Sequence, residues 1–174
     1  MRSVVLPLVL ALTGTLALSA CGDDPRNAAT VDGEAITTQE AQTVAREYNE
    51  LTGQTGSSGV TPDKTLAVYS EGHVALQQQR LAGQGVSYDD ALQVMKDQVH
   101  MKHPSPTLVE FYRRVIAVQA ARQDPATVKK IQAELEKAHI TINPRYGSAF
   151  DPKQRQVLAP APAWIKPVAA AANN

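Results

Sequence analysis

Polar and apolar residues recur along this chain with two periods, and the switches between them mark out its elements. In "AATVDGEAIT" (28–37) two short stretches carrying Val31 and Ile36 flank Asp32-Gly33, a dipeptide that tolerates positive φ and suits a two-residue hairpin turn. A hairpin this small is marginal alone, so it is expected to pair with a further strand. From Thr37 the period becomes helical. Thr37 and Glu40 make a capping box, Ala41, Val44, Ala45, Tyr48 and Leu51 share one face, and Gly53 ends the run before the loop "GQTGSSG".

Three later helices are predicted to open on a capping residue followed by proline: Thr61-Pro62, Ser105-Pro106 and Asp124-Pro125. Proline suits the first helical position because its φ is already helical and its missing N–H would lack a partner there. Ser87 with Asp90 is a second capping box, opening a helix that carries Leu92, Met95 and Val99. The other apolar faces are Leu66, Tyr69, His73 and Leu76; Leu108, Phe111, Tyr112, Val115 and Ile116; and Val128, Ile131, Leu135 and Ala138. His73, on such a stripe, is expected at the core or its edge, bonded through one ring nitrogen. "HITIN" (139–143) alternates and is β-branched, so it reads as a strand and as the natural partner of the hairpin. The fold predicted is mainly α: about five helices, with a small sheet formed by the N-terminal hairpin and a strand after the last helix.

The first residues change this picture. Met1, Arg2 and Ser3 precede the uncharged run "VVLPLVLALTGTLALSA", which has the shape of a secretory signal and is shorter than the ~20 residues of a spanning helix. Leu18, Ser19, Ala20 and Cys21 resemble the lipobox of bacterial lipoproteins. That resemblance implies that Cys21, the one cysteine of the chain, is lipidated and becomes the first residue after cleavage. Two or more acyl chains make a stable anchor where one is marginal. The organisation expected is a signal at 1–20, a tether at 21–27, a helical domain at 28–151 and an extended tail at 152–174. The stretch from Pro144 onward is too rich in proline and alanine for a further domain and is expected to be extended, with Phe150 and Trp164 as docking points. Loss of the signal removes Arg2 and leaves 16 basic and 17 acidic side chains. A near-neutral protein does not suit nucleic acid, and adhesion to a bilayer must come from the lipid.

"AATVDGEAITTQE", the lipoprotein signal, the helical middle and "ITINPRYGSAFD" together resemble the SurA N-terminal-like lipoproteins, typical of actinobacteria and related to the chaperone SurA and to PrsA and trigger-factor type foldases. In that family a hairpin leads into the first helix and a late strand returns to pair with it. The signature positions here are Asp32, Gly33, Asn143, Pro144, Arg145, Tyr146 and Gly147. The resemblance covers about Ala28 to Asp151, and its specific motifs lie at the two ends. It implies binding of unfolded or nascent exported proteins outside the cytoplasm. The chain has no room for the parvulin-type isomerase domain of SurA and PrsA, so isomerase activity is not implied.

Among side chains with chemistry to offer, His100 and His103 in "QVHMKH", with Met95 and Met101, are soft metal ligands and make a copper-binding lipoprotein the weaker alternative. The plainer reading is that basic groups gather on one face at a helix C-terminus, with Pro104 ending the helix. No nucleophile motif, phosphate-binding glycine loop or paired metal-ligand spacing is present in the sequence, so neither an enzyme nor a cofactor is expected. Tyr69, Phe111, Tyr112 and Trp164 are the large groups that a client-binding groove would use, although a domain so poor in aromatics needs most of them inside. Two partner classes follow: unfolded exported chains, or one dedicated envelope protein.

Overall fold

A computed structural model describes residues 24–54 and 58–160. Its elements run β1 (Asn27–Val31), β2 (Glu34–Thr37), α1 (Thr38–Thr52), α2 (Pro62–Leu81), α3 (Tyr88–Asp97), α4 (Pro106–Ala121), α5 (Pro125–Leu135), β3 (Ile140–Ile142), β4 (Ala149–Asp151) and β5 (Gln156–Leu158). The fold is mainly α, with small antiparallel sheets. The segment expected to be a signal (1–20), Cys21 and Trp164 lie outside the described residues.

Capping chemistry fixes where the helices begin. Thr37 Oγ1 accepts from Glu40 N at 3.1 Å while the Glu40 carboxylate accepts from Thr37 N at 2.7 Å. Ser87 and Asp90 repeat this arrangement ahead of α3. Ser105 and Asp124 cap α4 and α5 with proline at the first turn, whereas Thr61 ahead of α2 makes no capping bond with its side chain. Gly53 ends α1 at φ 64°, a left-handed conformation in which a β-carbon is costly.

β1 pairs antiparallel with β2 and with β3, giving the order β2-β1-β3. Asp32 and Gly33 make the turn, both at positive φ. The Asp32 carboxylate also accepts from His139 N at 2.8 Å, so the turn holds the start of β3. The sequence "NPRYG" completes this junction. Asn143 donates from Nδ2 to Asn27 O at 2.8 Å, its Oδ1 accepts from Arg145 N at 3.0 Å, and its carbonyl accepts from Tyr146 N at 2.8 Å. The signature residues therefore build a turn that passes the chain from the three-stranded sheet to the β4-β5 hairpin.

That hairpin was not predicted. Regular structure continues past Asp151, the expected end of the domain, to Leu158, and Asn27, expected in the tether, belongs to β1. The reason lies in α2. Its residues are buried nearly all round, Ser70, Glu71 and Gly72 included, because α1, α4, α5, β1 and β5 all pack on it. The Glu71 carboxylate, 8% exposed, accepts from Arg155 at 2.8 Å and from Arg122 at 3.3 Å. One buried carboxylate thus holds the β4-β5 turn and the end of α4 against the central helix. Two clusters of buried side chains lie on either side, one around Leu66, Val44, Met95, Leu108 and Phe111, the other around Val74, Ala117, Ile131 and Leu135.

Candidate functional site

A concave surface lies where β2, α2 and α4 meet. A tight approach sets it up: a β-carbon on Gly72 would stand 2.4 Å from Arg114 Cβ, so α4 is drawn close to α2 at this level. The Arg114 side chain then lies over the Tyr69 ring at 4.9 Å, a cation–π contact that favours a guanidinium over other cations. Arg114 is 9% exposed. It donates to Glu34 Oε1 at 2.7 Å, and to Glu110 at its carbonyl oxygen (3.1 Å) and at Oε2 (3.2 Å). Its Nε is buried without a partner.

Glu34 carries a second bond, since its Oε2 lies 3.0 Å from His73 Nδ1. Gln77 Nε2 lies 3.0 Å from His73 Nε2. Both partners are satisfied when neutral His73 donates from Nδ1 to the carboxylate and accepts at Nε2 from the amide. His73 therefore uses both ring nitrogens, against the expectation of one, with the Asp32 carboxylate a further 3.8 Å away. The hydrogen bond from His73 and the Arg114 charge hold the Glu34 carboxyl below the usual carboxylate range, against the opposing effect of partial burial. Burial pushes the hydroxyls of Tyr69 and Tyr112 up.

The bridge Glu34–Arg114–Glu110 divides two open clefts of about 270 and 310 Å³. The first is lined by His73, Gln77, Arg80 and Arg113 together with the bridge. The second is lined by Ala35, Ile36, Glu40, Tyr69, Pro106 and Thr107 with the same bridge. With His73 neutral, the first holds three arginines against two glutamates and the second three glutamates against one arginine. They adjoin with opposite surpluses of charge.

The aromatic residues singled out from the sequence are placed differently. Tyr69 and Phe111 are 4% and 3% exposed, with ring centroids 5.5 Å apart. They are core residues and offer no open face to a client, although an edge of Tyr69 floors the second cleft. Tyr112 is half-buried against the core, and Trp164 is not described. Helix α3 ends at Asp97, so His100 and His103 do not share a helix face as expected. They are exposed in the segment leading to α4, His100 at φ 57°, while Met101 packs on the core. Among the described residues no group of three or more His, Cys, Asp or Glu is placed to hold a metal ion, and no helix is long and apolar enough to cross a membrane.

Sequence reasoning missed Glu34, His73, Arg80, Glu110 and Arg114 as a group. They come from three elements up to 80 residues apart in the chain, and no local spacing joins them. One signal was available: two adjacent arginines, Arg113 and Arg114, one turn after Glu110 on the same side of a helix. Comparison with protein-family models, with curated proteins and with solved structures gives no match to this chain.

Proposed function

We propose that this protein is a lipid-anchored, extracytoplasmic polypeptide-binding domain that holds one dedicated envelope partner and carries out no covalent chemistry. The observation that carries this reading is the character of the described surface. Leu81 and Leu158 are its only exposed large apolar side chains among the described residues, whereas the concave surface between β2, α2 and α4 gathers six charged side chains. A holdase for unrelated clients needs a contiguous apolar patch. Fixed charges in a cleft reward one complementary partner and penalise others. Cys21 supplies the anchor, and Asp24 to Arg26 lead from it into β1.

A second reading, a general chaperone for exported chains, is favoured by the hairpin that leads into α1 and by the return of β3 to β1, which are what the SurA-type resemblance implies. Two experiments separate them. Light scattering of two unrelated denatured clients, with and without the purified protein, is expected to show no delay of aggregation, while a membrane pull-down is expected to retain one partner near equal ratio. Delay for both clients at near-equal ratios would reverse the assignment. Mass spectrometry of the mature N-terminal peptide is expected to find diacylglyceryl on Cys21 and a Cys21→Ser protein to leave the membrane fraction; an unmodified thiol would remove the anchor.

A further inference from the structure

We propose that the two clefts act as one bipolar groove that seats an extended segment of the partner polypeptide in a single direction, an acidic side chain at Arg80 and a basic side chain at Glu40. The inference rests on the reading of this protein as a polypeptide-binding domain, and names the chemistry of what it binds.

Three features carry it. First, the clefts adjoin: Glu34, Arg114 and Glu110 line both, so a chain crossing that bridge passes from one to the other. The second feature is charge. The first cleft has one positive charge in surplus and the second has two negative. Within the first, Arg113 donates to Val86 O at 2.9 Å and to Glu110 at 3.0 Å, and both terminal nitrogens of Arg114 are taken by Glu110 and Glu34. Arg80 lines the cleft with no hydrogen-bond or ion-pair partner among the described residues. A carboxylate placed there would meet a guanidinium whose donors are available in a fork.

The third feature is backbone. With the order β2-β1-β3, β2 has a free edge. Val31 and Glu34 close the two-residue turn, so the next pair, Thr30 and Ala35, is of the other kind. In such a pair the N–H and C=O groups point away from the partner strand. Those of Thr30 point to β3, which pairs there through Thr141. Those of Ala35 point outward, beside the second cleft that Ala35 lines. An extended segment can add to this edge, the recognition mode in which main-chain bonds give affinity and side-chain sites give specificity. The length agrees: Tyr69 and Arg80, on one face of α2, are about 16 Å apart at 1.5 Å per residue. Side chains four residues apart in a strand share a face and stand about 13 Å apart, which the reach of Asp and Lys side chains extends to that span.

The test is fluorescence anisotropy of the full chain with labelled, end-blocked pentapeptides: Asp-Val-Thr-Val-Lys, its reverse, and versions with Asn for Asp or Gln for Lys. One order is expected to bind at least tenfold better than the other, and either neutral replacement to cost most of that advantage. Arg80→Glu, and Arg80→Gln in which charge is only removed, are expected to weaken the favoured peptide about tenfold while leaving the Asn version unchanged. Arg145→Glu, an exposed arginine at the "NPRYG" turn outside both clefts, is expected to change nothing. Circular dichroism checks that each variant is folded. Equal binding of both orders, binding indifferent to Arg80, or no peptide binding overturns the groove. So does displacement of both orders alike by millimolar inorganic phosphate, the mark of a simple anion site. The dedicated-partner reading fails separately, if the membrane pull-down with the unaltered chain retains nothing. A partner held equally well by the unaltered and Arg80→Glu chains would leave that reading standing and remove the groove.

Discussion

At the scale of single residues, a buried arginine is tolerable only where its charge is answered, and Arg114 is answered by Glu34, Glu110 and the face of Tyr69. The absence of a side chain at Gly72 is what lets it lie there. Gly72→Ala places a β-carbon 2.4 Å from Arg114 Cβ and 3.1 Å from its Cα, and backbone cannot swing aside as a side-chain tip does. Overpacking of this kind costs about 1–3 kcal/mol, against a gain of about 1 kcal/mol in helix propensity. A net loss of about 1 kcal/mol is expected from urea unfolding, and a variant as stable as the parent would show that α4 can shift. Glu34 makes the site sensitive to acid. Because its carboxyl is held below its unfolded value, first by the His73 hydrogen bond, its stabilisation is fully present above the ordinary carboxylate range and fades as pH falls through and below it. The stability gap between the parent and Glu34→Gln is therefore expected to be open at pH 6 and to close toward pH 3. A gap that does not vary with pH would mean that the carboxylate's charge contributes nothing.

Among elements, legibility tracked how local the cause was. The capping residues, the prolines beside three of them, Gly53 and Asp32-Gly33 act within four residues of themselves, and all five helices and the first hairpin were predicted from them. Where the cause is distant the sequence was mostly silent, the pairing of the strand at 140–142 with the hairpin excepted. Strands β4 and β5 have three residues each, "AFD" and "QVL", too short to show a period. They are held by Arg155 reaching Glu71, 84 residues earlier. His73 looked like one more position on a stripe because Glu34, 39 residues away, gives it its role. The end of α3 was misplaced since His100 and His103 continue a plausible basic helix end, while the chain turns at His100 with positive φ. The Glu71 latch predicts its own test. Glu71→Ala leaves Arg155 without a carboxylate, and breaking a buried pair by removing one partner costs about 3–5 kcal/mol. The partial exposure of both arginines, at 22% and 57%, places the expectation near 3 kcal/mol or below. Hydrogen exchange is expected to quicken first in the amides of β4 and β5. Equal protection there would mean that the hairpin is held by its apolar contacts alone.

At the scale of the whole molecule, the two ends of the described chain meet on one wall. Asn143 reaches Asn27, Asp32 holds His139, and β3 closes on β1, so the sheet that starts the fold is finished by residues more than a hundred positions later. β5 seals this closure from the other side: Val157 packs on the first core cluster, and a β-carbon on Gly147 would stand 2.2 Å from Val157 Cγ1 and 2.6 Å from Leu158 O. The groove between β2, α2 and α4 borrows rigidity from that wall, because β2 pairs along its length with β1. A chain ended after Asp151 loses β5, Val157 and the Arg155 arm of the Glu71 latch together, whereas one ended after Pro160 keeps every described contact. Full burial of a valine contributes about 1.5–3 kcal/mol, of which half-buried Val157 supplies a part, and the latch contributes up to about 3 kcal/mol. The shorter chain is thus expected to lose about 3 kcal/mol or more by urea unfolding, a large part of the stability of a domain this size. Peptide binding is expected to fall in the shorter chain in step with its folded fraction, since none of its lost residues touches either cleft. If binding fell while the domain stayed folded, the hairpin would have to contact the partner itself, and the groove would extend beyond β2, α2 and α4.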